Sequence, residues 1–187
     1  MRAVWLEVPE DFLEERRRLG HDKRDELWEG VLHMVPPASF LHGTISDEMV
    51  DALRPIARRR GWIARSGQTG LFQPETDTSY RIPDAMVARP DHVSERGLEG
   101  AVLVVEVLSP NDESRDKFPF FARLGVDEVW LVEPRTREVE VHTLRDGRYH
   151  RVAASGSSIT SPALGVTLAT VDGPHLRLCD GDTIVDI

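Results

Sequence analysis

The stretch Ala101-Val102-Leu103-Val104-Val105-Glu106-Val107-Leu108 is apolar at every position but one. It is short, rich in valine and shows no helical spacing, so it predicts a strand buried on both faces, as at the centre of a sheet covered by helices. A chain with such a strand needs a layer on each side of its sheet, which points to an α/β class with a mixed sheet. Glu106 is the anomaly: a carboxylate inside a buried strand is costly unless a cation or a metal ion meets it.

The rest of the chain supplies the layers. Pro9-Glu10-Asp11 opens and Leu19-Gly20 closes a short leading helix. Leu27, Val31, Leu32, Met34 and Val35 around Glu29-Gly30 predict a hairpin before Pro36-Pro37. Between Ala38 and Arg60 the apolar residues Leu41, Ile45, Met49, Leu53 and Ile56 recur at helical spacing, with Pro55 inside the run and Gly61 after it. Trp62–Phe72, with a glycine break, and Ile82–Ala88 read as strands, followed by the central run. A helix near Phe118–Leu124 stops at Gly125, Glu128–Val132 forms another buried strand, and Arg145-Asp146-Gly147 turns a hairpin between Glu138–Leu144 and Arg148–Ala153. The tail from Ser155 shows only short apolar pieces between Gly, Ser and Pro.

At 187 residues, the chain predicts a single domain over residues 1–187, with its core at about 25–145. Cys179 is the only cysteine, so neither an intrachain disulfide nor a thiolate cluster can form. Met1–Glu7 meets an acid before a secretory apolar segment develops, and no run is long enough to span a bilayer, so the expectation is a cytoplasmic protein with no membrane partner. The net charge of −9 argues against extended, sequence-independent binding to a phosphate backbone.

Upstream of the anomaly, Pro83-Asp84 opens a strand, so an aspartate at one strand's start would face a glutamate near the next strand's end if the two are neighbours. Two such carboxylates suit Mg²⁺, with Mn²⁺ as a substitute, because Mg²⁺ takes one or two protein carboxylates and keeps sites for water and phosphate. A lysine alongside would activate the water or stabilise developing charge.

Asp84, Glu106 and the nearby Lys117 resemble the PD-(D/E)xK signature of restriction-endonuclease-like nucleases. The wider pattern is similar to one branch, the Uma-type restriction endonuclease family. It is carried by Asp25-Glu26-Leu27-Trp28-Glu29-Gly30, His42, Arg81-Ile82-Pro83-Asp84, Val104-Val105-Glu106-Val107-Leu108-Ser109-Pro110, Lys117 and Gly125-Val126-Asp127-Glu128-Val129-Trp130-Leu131-Val132-Glu133-Pro134. The resemblance implies a restriction-endonuclease-like core, an α+β mixed sheet in the order helix, strands, helix, strand, with N-terminal helix and hairpin and C-terminal β-hairpin additions. It also implies that the lysine has moved from the position held here by Leu108 onto the following helix. Two departures stand out: Phe121 replaces the family's usual tyrosine, and Pro119 places the helix start near Phe118, leaving Lys117 at its entrance.

The resulting expectation is a Mg²⁺-dependent endonuclease acting on DNA as a homodimer. Asp84, Glu106 and Lys117 would be catalytic, with Asp84, Glu106 and the Val107 carbonyl on the metal and Glu26 and His42 auxiliary. Plainer roles stand beside these: Asp84 as a turn cap, Glu106 in a salt bridge to an arginine, Lys117, Glu26 and Glu48 as solvated charges, His42 as a helix-cap residue. Arg58-Arg59-Arg60 reads as a helix-terminal charge and Trp28 and Trp130 as core. The rival function is a catalytically silent module that keeps the fold and binds a partner.

Overall fold

The computed structural model describes residues 9–110, 112–154 and 158–187, so the reading of Met1–Glu7 lies outside the described residues. In chain order the elements are α1 (Glu10–Leu19), β1 (Glu26–Trp28), β2 (Val31–His33), α2 (Phe40–Arg59), β3 (Ile63–Ser66), β4 (Leu71–Phe72), β5 (Tyr80–Arg81), β6 (Ala85–Ala88) and β7 (Leu103–Val107). They continue with α3 (Phe118–Arg123), β8 (Glu128–Val132), β9 (Val139–Arg145), β10 (Arg148–Arg151), β11 (Ser158–Thr160), β12 (Thr167–Val171), β13 (His175–Asp180) and β14 (Thr183–Asp186).

A six-stranded sheet in the order β10-β9-β8-β7-β6-β3 forms the centre. Only β7 and β8 pair in parallel; the other ladders are antiparallel. All five residues of β7 are buried, as are all five of β8. Strand alternation divides the interior in two. Val105, Val107, Trp130 and Val132 face Ile45, Met49, Leu53 and Ile56 of α2, whereas Met86, Val104, Val129 and Leu131 face Phe120 and Phe121 of α3. The mixed sheet with a helix on each face is the predicted class.

The leading helix, the long helix and both hairpins form where the sequence places them. At Glu29-Gly30 and at Asp146-Gly147 both residues take positive φ, the type I′ geometry that matches strand twist. The segment Ile82–Ala88 is not one strand: Pro83 has no N–H to give a ladder, so β5 ends before it and β6 begins after Asp84. Trp62–Phe72 divides at its glycine break as expected, with β3 on the edge of the central sheet and β4 in a separate sheet ordered β2-β1-β5-β4.

The tail from Ser158 builds a third sheet, β11-β12-β13-β14, whose Leu168, Leu176 and Leu178 join the α2-side core. Its anchor is Glu128, fully buried at the start of β8, which accepts hydrogen bonds from Trp130 Nε1, Ser161 Oγ and, at 3.1 Å, the Ala163 amide. Burial pushes the Glu128 carboxyl above its ordinary range. Replacing Glu128 with Ala strands three donors, and a loss of about 2–3 kcal/mol is expected in urea unfolding. An unchanged midpoint would show that the tail sheet is held by its apolar face alone. Arg59 and Arg60 tie the same sheet to α2 through Asp180.

Candidate functional site

The β6–β7 ladder pairs Ala85 with Val105, so one step further Asp84 lies opposite Glu106. Residues directly opposite in an antiparallel pair share a face. That face is the one toward α3, where Met86 and Val104 also point. The Val107 amide closes the corner by donating to Asp84 Oδ2 at 2.8 Å. Both carboxylates are 4% exposed. The central strand thus carries its one charged residue at the level where Pro83 releases the neighbouring strand.

Lys117 ends a 3₁₀ turn, Ser114–Lys117, that runs directly into α3. Pro119 sits in the first turn of that helix, where its missing N–H costs nothing, and the tight turn in front aims the lysine back at the sheet. Its Nζ donates at 3.1 Å to both Glu106 oxygens and at 3.0 Å to Glu26 Oε1. Glu26 Oε1 also accepts from the Ile82 amide, and Oε2 from Trp28 Nε1, each at 2.8 Å. Hairpin β1–β2 thereby delivers a second carboxylate to the lysine.

On the other side, His42 in the first turn of α2 reaches Asp84 Oδ1 at 2.9 Å. An ionised carboxylate only accepts, so the hydrogen lies on Nε2. The Ser39 hydroxyl caps this helix by accepting from the His42 amide at 3.2 Å, fixing the turn that carries the imidazole. Arg24 donates to the same Asp84 Oδ1 at 2.9 Å. A Cβ at Gly67 would come within 3.0 Å of Arg24 Nη2 and 3.3 Å of the Pro83 carbonyl, so glycine lets the β3–β4 turn approach without displacing either.

These contacts split the two carboxylates electrostatically. Burial would raise the Asp84 carboxyl, but the hydrogen bond and charge of His42, the Val107 amide and Arg24 outweigh it and hold the group below its usual range. Burial pushes Glu106 up to about 8; Lys117 opposes this, while the charges of Asp84 and Glu26 add to it. The same burial works against the Lys117 ammonium, yet Glu106 and Glu26 more than compensate and its pKa is raised. Glu106 and Glu26 therefore share one ammonium on this face, with the imidazole and guanidinium turned to Asp84.

The structure brings together Asp84, Glu106, Lys117, Glu26, His42 and the Val107 backbone. Glu48 is exposed and takes no part. Glu106 meets a lysine rather than an arginine. Trp28 stacks on His33, and Trp130 is fully buried. Arg24 was not legible beforehand, because Lys23-Arg24-Asp25 on a short turn looks like an ordinary solvated charge run. Among the described residues, no group of three or more His, Cys, Asp or Glu side chains converges as a ready-made metal cage. No helix among them is long and apolar enough to cross a membrane.

A family model named Uma2, described as "Putative restriction endonuclease", matches residues 9–171. The chain belongs to this family. Its fold is similar to the crystal structure of a protein from Anabaena variabilis ATCC 29413, described as "a putative nuclease belonging to DUF820". The TM-score is 0.62 at 17% identity over 77% of this chain and 84% of the other. No curated protein matches the chain. The Uma2 match extends past the expected core at both ends, taking in α1, the β9–β10 hairpin and the first strands of the tail sheet.

Proposed function

We propose that this Uma2-family protein is a Mg²⁺-dependent nuclease that hydrolyses phosphodiester bonds in DNA, with Asp84 and Glu106 holding the metal. The observation that carries this reading is the placement of those two buried carboxylates opposite each other on one sheet face, with the Lys117 ammonium 3.1 Å from both Glu106 oxygens. The donor set fits the ion: hard carboxylate oxygens, fewer than a full cage. The metal supplies a water of lowered pKa and charge neutralisation at the phosphate.

The protein's own groups do the positioning. The Val107 N–H points at Asp84, and in an extended strand the carbonyl of the same residue points the same way, which makes Val107 O a further ligand. Lys117 is placed to hold the attacking water or meet the charge building on the phosphate, and Glu26 fixes the ammonium in line with Glu106. His42 and Arg24 hold the Asp84 oxygens in place and keep that carboxylate ionised. A homodimer follows from the reading, since a duplex has two strands to cut and a two-fold protein matches it.

Cleavage of labelled duplex and single-stranded DNA with and without Mg²⁺, combined with calorimetric titration of Mg²⁺ into wild type and Asp84→Ala, tests the assignment. Metal-dependent cleavage and a binding isotherm that disappears in Asp84→Ala are expected. The second reading, a catalytically silent binding module, is favoured by one observation: every carboxylate of the site already has an internal cation or donor. An absent Mg²⁺ isotherm in the wild type would decide for it.

A further inference from the structure

The carboxylate row does not end at Glu106. In the β7–β8 ladder Glu106 pairs with Leu131, and in the β8–β9 ladder Leu131 pairs with Glu140. Glu140 therefore lies on the α3-side face, level with Asp84 and Glu106. It stands two strand spacings from Glu106, about 9–10 Å.

Around Glu140 stand two guanidinium groups and an imidazole. Arg115 Nη2 donates to Glu140 Oε2 at 2.8 Å, His142 Nε2 lies 3.0 Å from the same oxygen, and Arg151 Nη1 is 3.6 Å from Oε1. Arg115 belongs to the same 3₁₀ turn as Lys117, two residues earlier, so one turn spans from Glu106 to Glu140. Arg151 stands opposite His142 on β10, an edge strand that reads Arg148-Tyr149-His150-Arg151. The Phe118 ring packs against both His142 and Tyr149, at centroid distances of 5.1 and 5.0 Å, which fixes the turn onto the hairpin. The two guanidinium side chains are 54% and 62% exposed, while the carboxylate beneath them is 26% exposed. They outnumber that carboxylate and present their free N–H groups to solvent beside the metal site.

We propose that Arg115 and Arg151, gathered by Glu140, form a second phosphate subsite that holds the nucleic-acid backbone next to the phosphate that a metal ion held by Asp84 and Glu106 would bind. The inference rests on the nuclease reading of that pair. Arginine suits the task because its planar fork can keep one N–H on the carboxylate and offer others to phosphate oxygens. Backbone binding by a chain of net charge −9 then needs no basic surface at large, only the exposed sides of Arg115 and Arg151 at one end of the central sheet.

The test measures binding of fluorescein-labelled duplex and single-stranded DNA by anisotropy across a salt series. Ca²⁺ replaces Mg²⁺ because its looser coordination fills the site without the strict octahedral geometry. Arg115→Ala/Arg151→Ala is expected to weaken binding about 10- to 100-fold near 0.1 M salt and to reduce the salt slope by about 2. The charge-matched control Arg54→Ala/Arg177→Ala, on the exposed face of α2 and at a half-buried position of β13, is expected to change neither. Glu140→Gln separates a phosphate subsite from a structural ion-pair cluster: freeing the arginines from their carboxylate should tighten binding several-fold. Unchanged or weaker binding by Glu140→Gln overturns the proposal even if the double variant fails to fold. So does a double variant that binds like wild type. Absence of DNA binding by the wild type would overturn the nuclease reading and, with it, this one.

Discussion

Glu106→Gln is expected to abolish cleavage while making the protein more stable above pH 8. On the proposed nuclease reading, the loss would follow from removing one of the two carboxylates assigned to the metal and should reach about 10³-fold, the scale of losing one charge-stabilising group at a reacting centre. The gain follows from burial. Glu106 is raised from its ordinary 4.5 to about 8 in the folded protein. Below 4.5 folded and unfolded chains both hold the proton and the group is neutral in the balance. As pH rises from 4.5 to 8, the unfolded chain releases the proton while the folded one retains it, so stability present at low pH is progressively lost. Glutamine stays neutral throughout and still offers Lys117 a carbonyl oxygen. The advantage of Glu106→Gln should therefore open between pH 4.5 and 8 and level off above that at about 2–4 kcal/mol. Urea unfolding of both proteins over that range measures it, and parallel stability curves would overturn it. A stabilising change that removes activity marks Glu106 as a residue retained at the expense of the fold.

The opposite balance holds at Asp84, and the difference is geometric. Both carboxylates are equally buried, but Asp84 receives a backbone amide, an imidazole and a guanidinium, whereas Glu106 receives a single ammonium shared with Glu26. Asp84 is thus ionised and fixed by the protein's own groups. Glu106 is the member whose charge depends on what else enters the site.

Much of this site could be read in the sequence because its chemistry interrupts a regular pattern. Glu106 is visible as a charge in a continuous apolar strand, and Asp84 as an acid after the proline that frees it from the ladder. Helix α2 and the two hairpins were legible for the same reason, since their signals are local: helical spacing in one case, Glu-Gly and Asp-Gly turns in the other. The tail sheet was not legible. Its strands are three to six residues long with turns between them, and what orders them is the distant Glu128 reaching Ser161 and Ala163. Arg24 escaped notice because Asp84, its partner, lies 60 residues away; Arg81 stood in the family pattern, but its bracing role was hidden because the Leu27 carbonyl it meets lies 54 residues away. Contacts of that separation leave no periodicity, and arginine is too common in this chain to stand out by type.

Arg81→Met is expected to cost about 3–5 kcal/mol and to loosen the whole Lys117 side of the site. Arg81 is 2% exposed, and its guanidinium lies between two rings, 4.4 Å from the Trp28 centroid and 4.2 Å from that of Phe120. It donates to the Leu27 carbonyl at 2.7 Å and to the Tyr80 carbonyl at 3.1 Å, while its ion pair with Glu29 is long, at 3.5 Å. Burial lowers its pKa despite Glu29, so the charge itself is not what favours the arrangement. The stability comes from the ring sandwich and the two hydrogen bonds. Methionine fills a similar volume between the rings but leaves both carbonyls without this donor. Trp28 lies on the strand that carries Glu26, and Phe120 on the helix that Lys117 enters, so Arg81 is the brace that sets the distance between the second carboxylate and the ammonium. Urea unfolding gives the stability loss, and hydrogen exchange of the β1 and β2 amides shows whether the hairpin detaches first. A loss below about 1 kcal/mol with unchanged exchange would mean that Trp28 and Phe120 hold the hairpin against α3 without the arginine between them.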